Sequence, residues 1–291
     1  MQKICLIVCY FGQWPRWFGL FLETCKRNPD VGWLFFTDCP IPATHADHLR
    51  FVPGNMADFN ALASAKLSLP IQVSIPYKIC DYRPAFGLIF RDYLKPYAFW
   101  GHTDLDVIYG DIRHFITEAL LDRHDVITAR KAYLCGHFTL YRNEARINHL
   151  FEQSPDWPFV FQDPTYRNFD ECNFMWQYLR KHGTVFDQKP AIDSMTHVVK
   201  RLREAGRLRA AFKPLVRERF DLKTQFWKVR WHDGKMVDVL GREEFMYFHL
   251  NILKKEPGFH IPDWSILPDL FFLTNEGFTF PSPPTQPSTA A

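Results

Sequence analysis

Apolar positions along the chain fall into short continuous runs, separated by stretches with helical spacing, and most runs end on a polar or glycine-bearing turn. Residues 4–9 (ICLIVC) are such a run, ending at Tyr10-Phe11-Gly12. A strand covered on both faces in a mostly parallel sheet has this pattern, so it predicts a buried strand feeding a loop. A helical pattern follows at about 16–27. Trp33-Leu34-Phe35-Phe36 predicts a second strand, closed by Thr37-Asp38, and Leu49-Arg50-Phe51-Val52 a third. Residues 56–67 and 84–94 carry helical spacing, and Ala98-Phe99-Trp100-Gly101-His102 then enters Thr103-Asp104-Leu105-Asp106. After a helix at about 111–121, Asp125-Val126-Ile127-Thr128 predicts another strand. The second half predicts a strand near 137–141, helices near 144–152 and 170–182, and a hairpin in which 227–231 and 236–240 flank Asp233-Gly234.

Strands alternating with helices predict an α/β domain with a mostly parallel central sheet flanked by helices. Ligands in such sheets bind beyond the carboxyl ends of the strands, where Tyr10, Asp38, Asp104 and Asp106 fall. The 291 residues suffice for one large domain, read here as 1–280, with a disordered tail at 281–291 (PSPPTQPSTAA). Aromatic residues reach 16%, which suits a core of large side chains or a site for flat ligands. A net charge of +3 is too balanced for a chain whose main partner is nucleic acid. The seven cysteines are odd in number, form no C-x-x-C pair and read as reduced thiols. No run approaches the roughly 20 apolar residues of a membrane helix, so a cytoplasmic protein is expected.

The strongest chemical signal is Gly101-His102-Thr103-Asp104-Leu105-Asp106-Val107-Ile108-Tyr109-Gly110-Asp111-Ile112. Two carboxylates one residue apart, between an apolar strand and a glycine turn, can address one hard divalent cation; the competing reading is a solvated turn with Asp111 as a helix cap. Lys78, Asp81 and Arg83 precede the predicted helix 84–94, an anion site in which Asp81 either caps the helix or binds a ribose hydroxyl. Eight basic residues against two acidic ones between 198 and 220 form a candidate peripheral membrane contact at the inner membrane face, or a solvated basic helix pair interrupted by Pro214.

The D-L-D-V-I-Y-G-D-I segment resembles the D-x-D motif of glycosyltransferases with the GT-A fold, which hold Mn²⁺ or Mg²⁺ against the diphosphate of a sugar nucleotide. Cys9-Tyr10-Phe11-Gly12, the run 76–87 (PYKICDYRPAFG) and Gly136-His137-Phe138-Thr139-Leu140-Tyr141-Arg142 agree in order. Over roughly 3–255 the chain resembles a mostly uncharacterised bacterial glycosyltransferase-like family. The resemblance implies a GT-A-like, Rossmann-like domain, with 1–130 the nucleotide-sugar half and 131–280 the acceptor half. It implies Asp104 and Asp106 as metal ligands, His249 as a third, and Lys254 for the phosphates. Tyr10, Asp38, Lys78, Asp81, Arg83 and Asp104 become the donor-binding candidates. Asp170 or Glu171, at the start of the predicted helix 170–182, is the candidate base of an inverting enzyme, the carboxylate beside the reacting sugar in a retaining one, or a helix cap. The expected reaction moves a sugar from a nucleotide donor, UDP-linked, to a glycan or lipid-linked acceptor. The competing classes are a metal-dependent phosphoester hydrolase and a non-catalytic nucleotide-sugar or carbohydrate-binding protein. A nicotinamide dehydrogenase is disfavoured, because no G-x-G-x-x-G follows the first strand.

Overall fold

The first apolar run becomes strand β1 (Ile4–Tyr10), in which Cys5 and Ile7 enter one apolar layer and Ile4, Leu6 and Val8 the other. Strand β2 (Val31–Thr37) divides the same way, Leu34 and Phe36 against Val31, Trp33 and Phe35. Side chains alternate across a strand, so a sheet covered on both faces requires runs apolar at every position. The structure, a computed structural model, describes residues 3–43, 46–181, 183–221, 227–262 and 268–279; the expected tail at 281–291 lies outside them.

The chain continues through β3 (Leu49–Pro53), β4 (Phe99–Thr103), β5 (Val107–Tyr109), β6 (Val126–Thr128), β7 (Phe138–Arg142) and β8 (Ala210–Phe212). Seven of these strands form one sheet in the order β3-β2-β1-β4-β7-β6-β8. The pairs β1–β2, β1–β4, β2–β3 and β6–β8 are parallel, and β7 is antiparallel to β4 and β6. This is a mixed, mostly parallel α/β sheet. The helices Met56–Leu67 and Met195–Glu204 pack on one face and Phe18–Lys26 on the other.

Two further sheets flank it. One has the order β5-β12-β9, with β9 at Val216–Arg217 and β12 at Tyr247–His249. The other pairs β10 (Val229–His232) with β11 (Lys235–Asp238) and with β13 (Leu270–Thr274), which pairs with β14 (Gly277–Thr279). The hairpin at Asp233-Gly234 forms as expected, both residues having positive φ (45° and 77°). Its Trp231 donates Nε1–H to the carbonyl of Tyr109 (2.8 Å), which ties this sheet to the end of β5.

Three helical readings are corrected. The expected helix 84–94 is instead the end of a 3-10 run, Pro76–Ala85, followed by the short helices Phe86–Ile89 and Arg91–Leu94, which are interrupted at Phe90 (φ −99°, ψ 16°). The expected helix 170–182 is a series of turns until Trp176–Arg180. The Asn168 side chain explains it: Oδ1 accepts the backbone N–H groups of Cys172 (3.2 Å) and Phe174 (2.9 Å), an arrangement that competes with the helical ladder. Asn168, Asn173 and Phe174 all have positive φ (54°, 50° and 62°). The basic stretch 198–220 is the end of one helix and strands β8 and β9, not a helix pair. Among its cations, Arg201 pairs with Asp193, Arg209 with Asp125 and Arg217 with Glu243. All seven cysteines are unpaired, as expected. No described helix is long and apolar enough to cross a membrane.

Candidate functional site

Strand β4 stops at Thr103, and Asp104-Leu105-Asp106 turns the chain into β5. The partner of β5 is β12, with His249 opposite Val107, and the Leu250 N–H bonds the carbonyl of Asp106 (2.8 Å). That register brings His249 beside the aspartate pair. Its Nε2 is 3.4 Å from Asp106 Oδ1 and 3.8 Å from Asp104 Oδ2. The remaining oxygen of each aspartate is held by a cation: Lys254 Nζ donates to Asp106 Oδ2 (2.6 Å), and Arg83 Nη2 pairs with Asp104 Oδ1. Ligand atoms of Asp104, Asp106 and His249 lie within 4.8 Å of one another, a set of two carboxylates and one imidazole able to hold one divalent cation.

On the far side of the ring, Nδ1 of His249 donates to Glu218 Oε1 (2.8 Å). Glu218 follows β9, which pairs with β12, and its other oxygen pairs with Arg130. Arg130 Nε also donates to His137 Nε2 (3.3 Å), and His137 Nδ1 meets the Tyr247 hydroxyl (2.6 Å). Fixing Nδ1 in this way leaves Nε2 facing the aspartates, the arrangement in which a carboxylate orients a metal-binding histidine. Burial of His249 favours the neutral ring, but Asp106, Glu218 and Asp104 outweigh it and hold its pKa up at about 9. Burial likewise works against charge on Asp106 and Glu218; His249 and Lys254 hold the first well below the usual carboxylate range, and His249 and Arg130 the second.

Arg83 joins this cluster to a second one. Its Nη1 donates to the Gly136 carbonyl (3.0 Å) and to Asp170 Oδ2 (3.2 Å). Asp170 is 1% exposed; burial pushes its carboxyl well above the usual range, more than Arg83 pulls it down, and Glu171 adds to the rise. Glu171 accepts from the Gly136 N–H (2.6 Å), Asn168 Nδ2 (2.8 Å) and Trp176 Nε1 (2.5 Å). Both residues sit in turns, pinned from behind where the Met195 and Thr196 N–H groups bond the carbonyls of Phe169 (2.9 Å) and Glu171 (3.0 Å). Neither caps a helix at its own position, which corrects the expected setting while leaving both in the site.

Asp104, Asp106, His249, Lys254, Arg83, Asp170, Glu171 and Tyr10 all line one cavity of about 940 Å³ beyond the carboxyl ends of β1 and β4. Three expected donor-binding residues stand elsewhere. Lys78 and Asp81, 2% and 0% exposed, form a buried pair (2.8 Å). Lys78 also donates to the carbonyls of Val160 (2.7 Å) and Thr165 (2.8 Å), and Asp81 accepts the N–H groups of Arg167 and Phe169 (both 2.8 Å). The pair braces the loop that carries Asp170. Asp38 lies outside the cavity lining and accepts the Gly12 N–H (2.7 Å), stabilising a turn where Gly12 has a φ of 104°. The sequence reading missed Glu218, Arg130 and His137 as members of the site. Glu218 was visible only as an acid inside a basic stretch, and His137 only as part of G-H-F-T.

No curated protein matches the chain closely enough to count as a relative. A family profile does, over residues 6–274, a span that includes every residue of the cavity described above. The chain therefore belongs to DUF6625, a family of unknown function.

Proposed function

We propose that the chain is a metal-dependent glycosyltransferase of the GT-A fold, moving a sugar from a nucleotide donor, UDP-linked, to a glycan or lipid-linked acceptor. The observation that carries this reading is the convergence of Asp104 Oδ2, Asp106 Oδ1 and His249 Nε2 at the carboxyl end of a mostly parallel sheet, beside Lys254 and Arg83. Asp104, Asp106 and His249 would hold Mn²⁺ or Mg²⁺, which when bound supplies Lewis-acid stabilisation of the charge on a leaving diphosphate. Lys254 and Arg83 add fixed positive charge where that diphosphate would lie. The Tyr10 ring, stacked on Trp14 (5.6 Å between centroids), lines the same cavity and offers a flat wall for a base. Asp170 lines the cavity and its Oδ1 has a single long partner, the Tyr166 hydroxyl (3.4 Å), so of the two acids it is the candidate to take a proton from an acceptor hydroxyl. Glu171 spends its oxygens on three N–H donors and acts as a positioning residue.

A screen of UDP-, GDP- and CMP-sugars with Mn²⁺, read by mass spectrometry for nucleotide release, tests the reading. Release from one donor class, lost with EDTA and in Asp106→Ala, is expected. Equal UDP affinity with EDTA and with Mn²⁺, together with no release from any donor, overturns it. The anomeric configuration of the product, read by NMR, assigns inversion or retention.

A further inference from the structure

Resting on the transferase reading, we infer that the acceptor is a carbohydrate and that its sugar ring is gripped by a wall of aromatic side chains on the Asp170 side of the cavity. Tyr77, Tyr166, Phe174 and Trp176 form a continuous edge-to-face string, with ring centroids 4.8, 5.6 and 5.4 Å apart in that order. Tyr77, Tyr166 and Trp176 line the cavity. Tyr77 is 65% exposed and Phe174 47% exposed, so with Tyr166 between them they form a contiguous aromatic patch open to water.

Two of these rings, Trp176 and Tyr166, are anchored by their polar ends to the acids of the site. Trp176 Nε1 bonds Glu171 Oε2 (2.5 Å), and the Tyr166 hydroxyl accepts from Asn168 Nδ2 (2.7 Å) and donates to Asp170 Oδ1 (3.4 Å). Anchoring in this way fixes the ring planes next to the proposed base. The backbone at Phe174 adopts the left-handed conformation (φ 62°), an uncommon state for a bulky residue, and the Asn168 side chain holds it there.

A sugar ring has apolar C–H faces and a rim of hydroxyls, so its site needs ring faces with hydrogen-bonding groups beside them. Gln177 and Arg180, both exposed, line the cavity next to this wall and supply such groups. A polyprenyl chain would need an apolar channel without them. The cavity volume of about 940 Å³ stands near the upper end of the range for a single small ligand, which leaves space for a sugar beside a donor.

The test uses the intact chain without nucleotide. Saturation-transfer NMR is run on gluco-, galacto-, manno- and N-acetylglucosamine-configured tetrasaccharides, with phosphatidylcholine vesicles containing a polyprenyl phosphate in parallel. At least one tetrasaccharide is expected to bind, about tenfold more weakly to Tyr77→Ala and Phe174→Ala, with Tyr77→Phe restoring wild-type binding. Unchanged thermal unfolding of the variants keeps the loss attributable to the rings. No saturation transfer from any tetrasaccharide, binding indifferent to both alanine variants, or Tyr77-dependent binding of the vesicles alone overturns the inference. A chain that binds UDP with Mn²⁺ but no tetrasaccharide sinks this subsite and leaves the donor reading standing. The reverse pattern sinks the donor reading alone.

Discussion

At His249 a proton and the proposed cation would compete for one nitrogen. The ring's pKa is held up at about 9 against an ordinary 6.5, so its charge stabilises the metal-free fold fully below the ordinary value, and that contribution is lost as the pH rises through about 9. To bind as proposed, Mn²⁺ would have to displace this proton. Its affinity is therefore expected to rise roughly tenfold per pH unit from near neutrality and to level off above about pH 9. Calorimetry at pH 7 in two buffers of different ionisation enthalpy should register release of about one proton; a pH-independent affinity would place the metal away from His249. The buried Lys78–Asp81 pair makes a different prediction. Lys78→Met leaves Asp81 buried without a cation, at a cost of about 3–5 kcal/mol, read as a fall of roughly 6–10 °C in Tm. UDP affinity measured well below that Tm should stay within about twofold. A stable variant that has lost UDP binding would return Lys78 to the donor site.

The elements matter through where they stop. β4 and β5 are separated only by the D-x-D turn, and β12 and β9 extend the β5 edge, so this turn and three short strands position Asp104, Asp106, His249 and Glu218 together. Gly136, before β7, is the floor under the second half of the site. A Cβ there would stand 2.5 Å from Arg83 Nη1 and 2.9 Å from Asp170 Oδ2. Arg83 is held between Asp104 and Asp170 and has no slack to yield. Gly136→Ala is expected to displace it and lower nucleotide-release activity by about 10²-fold, the worth of a misplacement on the order of 1 Å. Gly136 is itself buried, so Tm is expected to fall as well, and activity is compared at a temperature well below the Tm of the variant. Full activity in that variant would remove Arg83 from the mechanism.

Across the whole molecule, the far edge of the main sheet is closed by one carboxylate. Asp125 precedes β6 and meets Arg142 at the end of β7 (3.3 Å), Arg209 before β8 (2.8 Å) and Arg146 (3.4 Å). Burial opposes its charge, but the Arg209 side chain and backbone, with Arg146, hold its pKa down at about 2 from an ordinary 3.8. With the folded pKa depressed, its stabilisation is present above the ordinary value and is lost as the pH falls through about 2. Tm should therefore decline on acidification from about pH 4 to pH 2, and Asp125→Asn should flatten that part of the profile while lowering Tm at neutral pH. An acid profile unchanged by the substitution would remove Asp125 as a source of the decline.

Much of the scaffold was legible because it is written locally. The runs 4–9 and 33–36 are apolar at every position since both faces of β1 and β2 are covered, and Asp233-Gly234 marks its hairpin because both residues tolerate positive φ. D-x-D after an apolar strand located the cavity for the same reason. Local pattern failed where a side chain took over the backbone's hydrogen bonds: Asn168 dissolves the helical spacing of 170–175 into turns. It also failed where chemistry depends on what packs from far away in the chain. Lys78 and Asp81 read as an exposed anion site until the 160–169 segment covers them. Glu218 has no local mark, because its role exists only once β9 and β12 pair and bring its carboxylate to His249. The sequence by itself determined strands, turns and the aspartate pair, since these follow from neighbours a few residues apart. Tertiary structure alone decided which charges are buried in pairs and which face the cavity, since burial and partnership are set by contacts between residues roughly 30 to 150 positions apart.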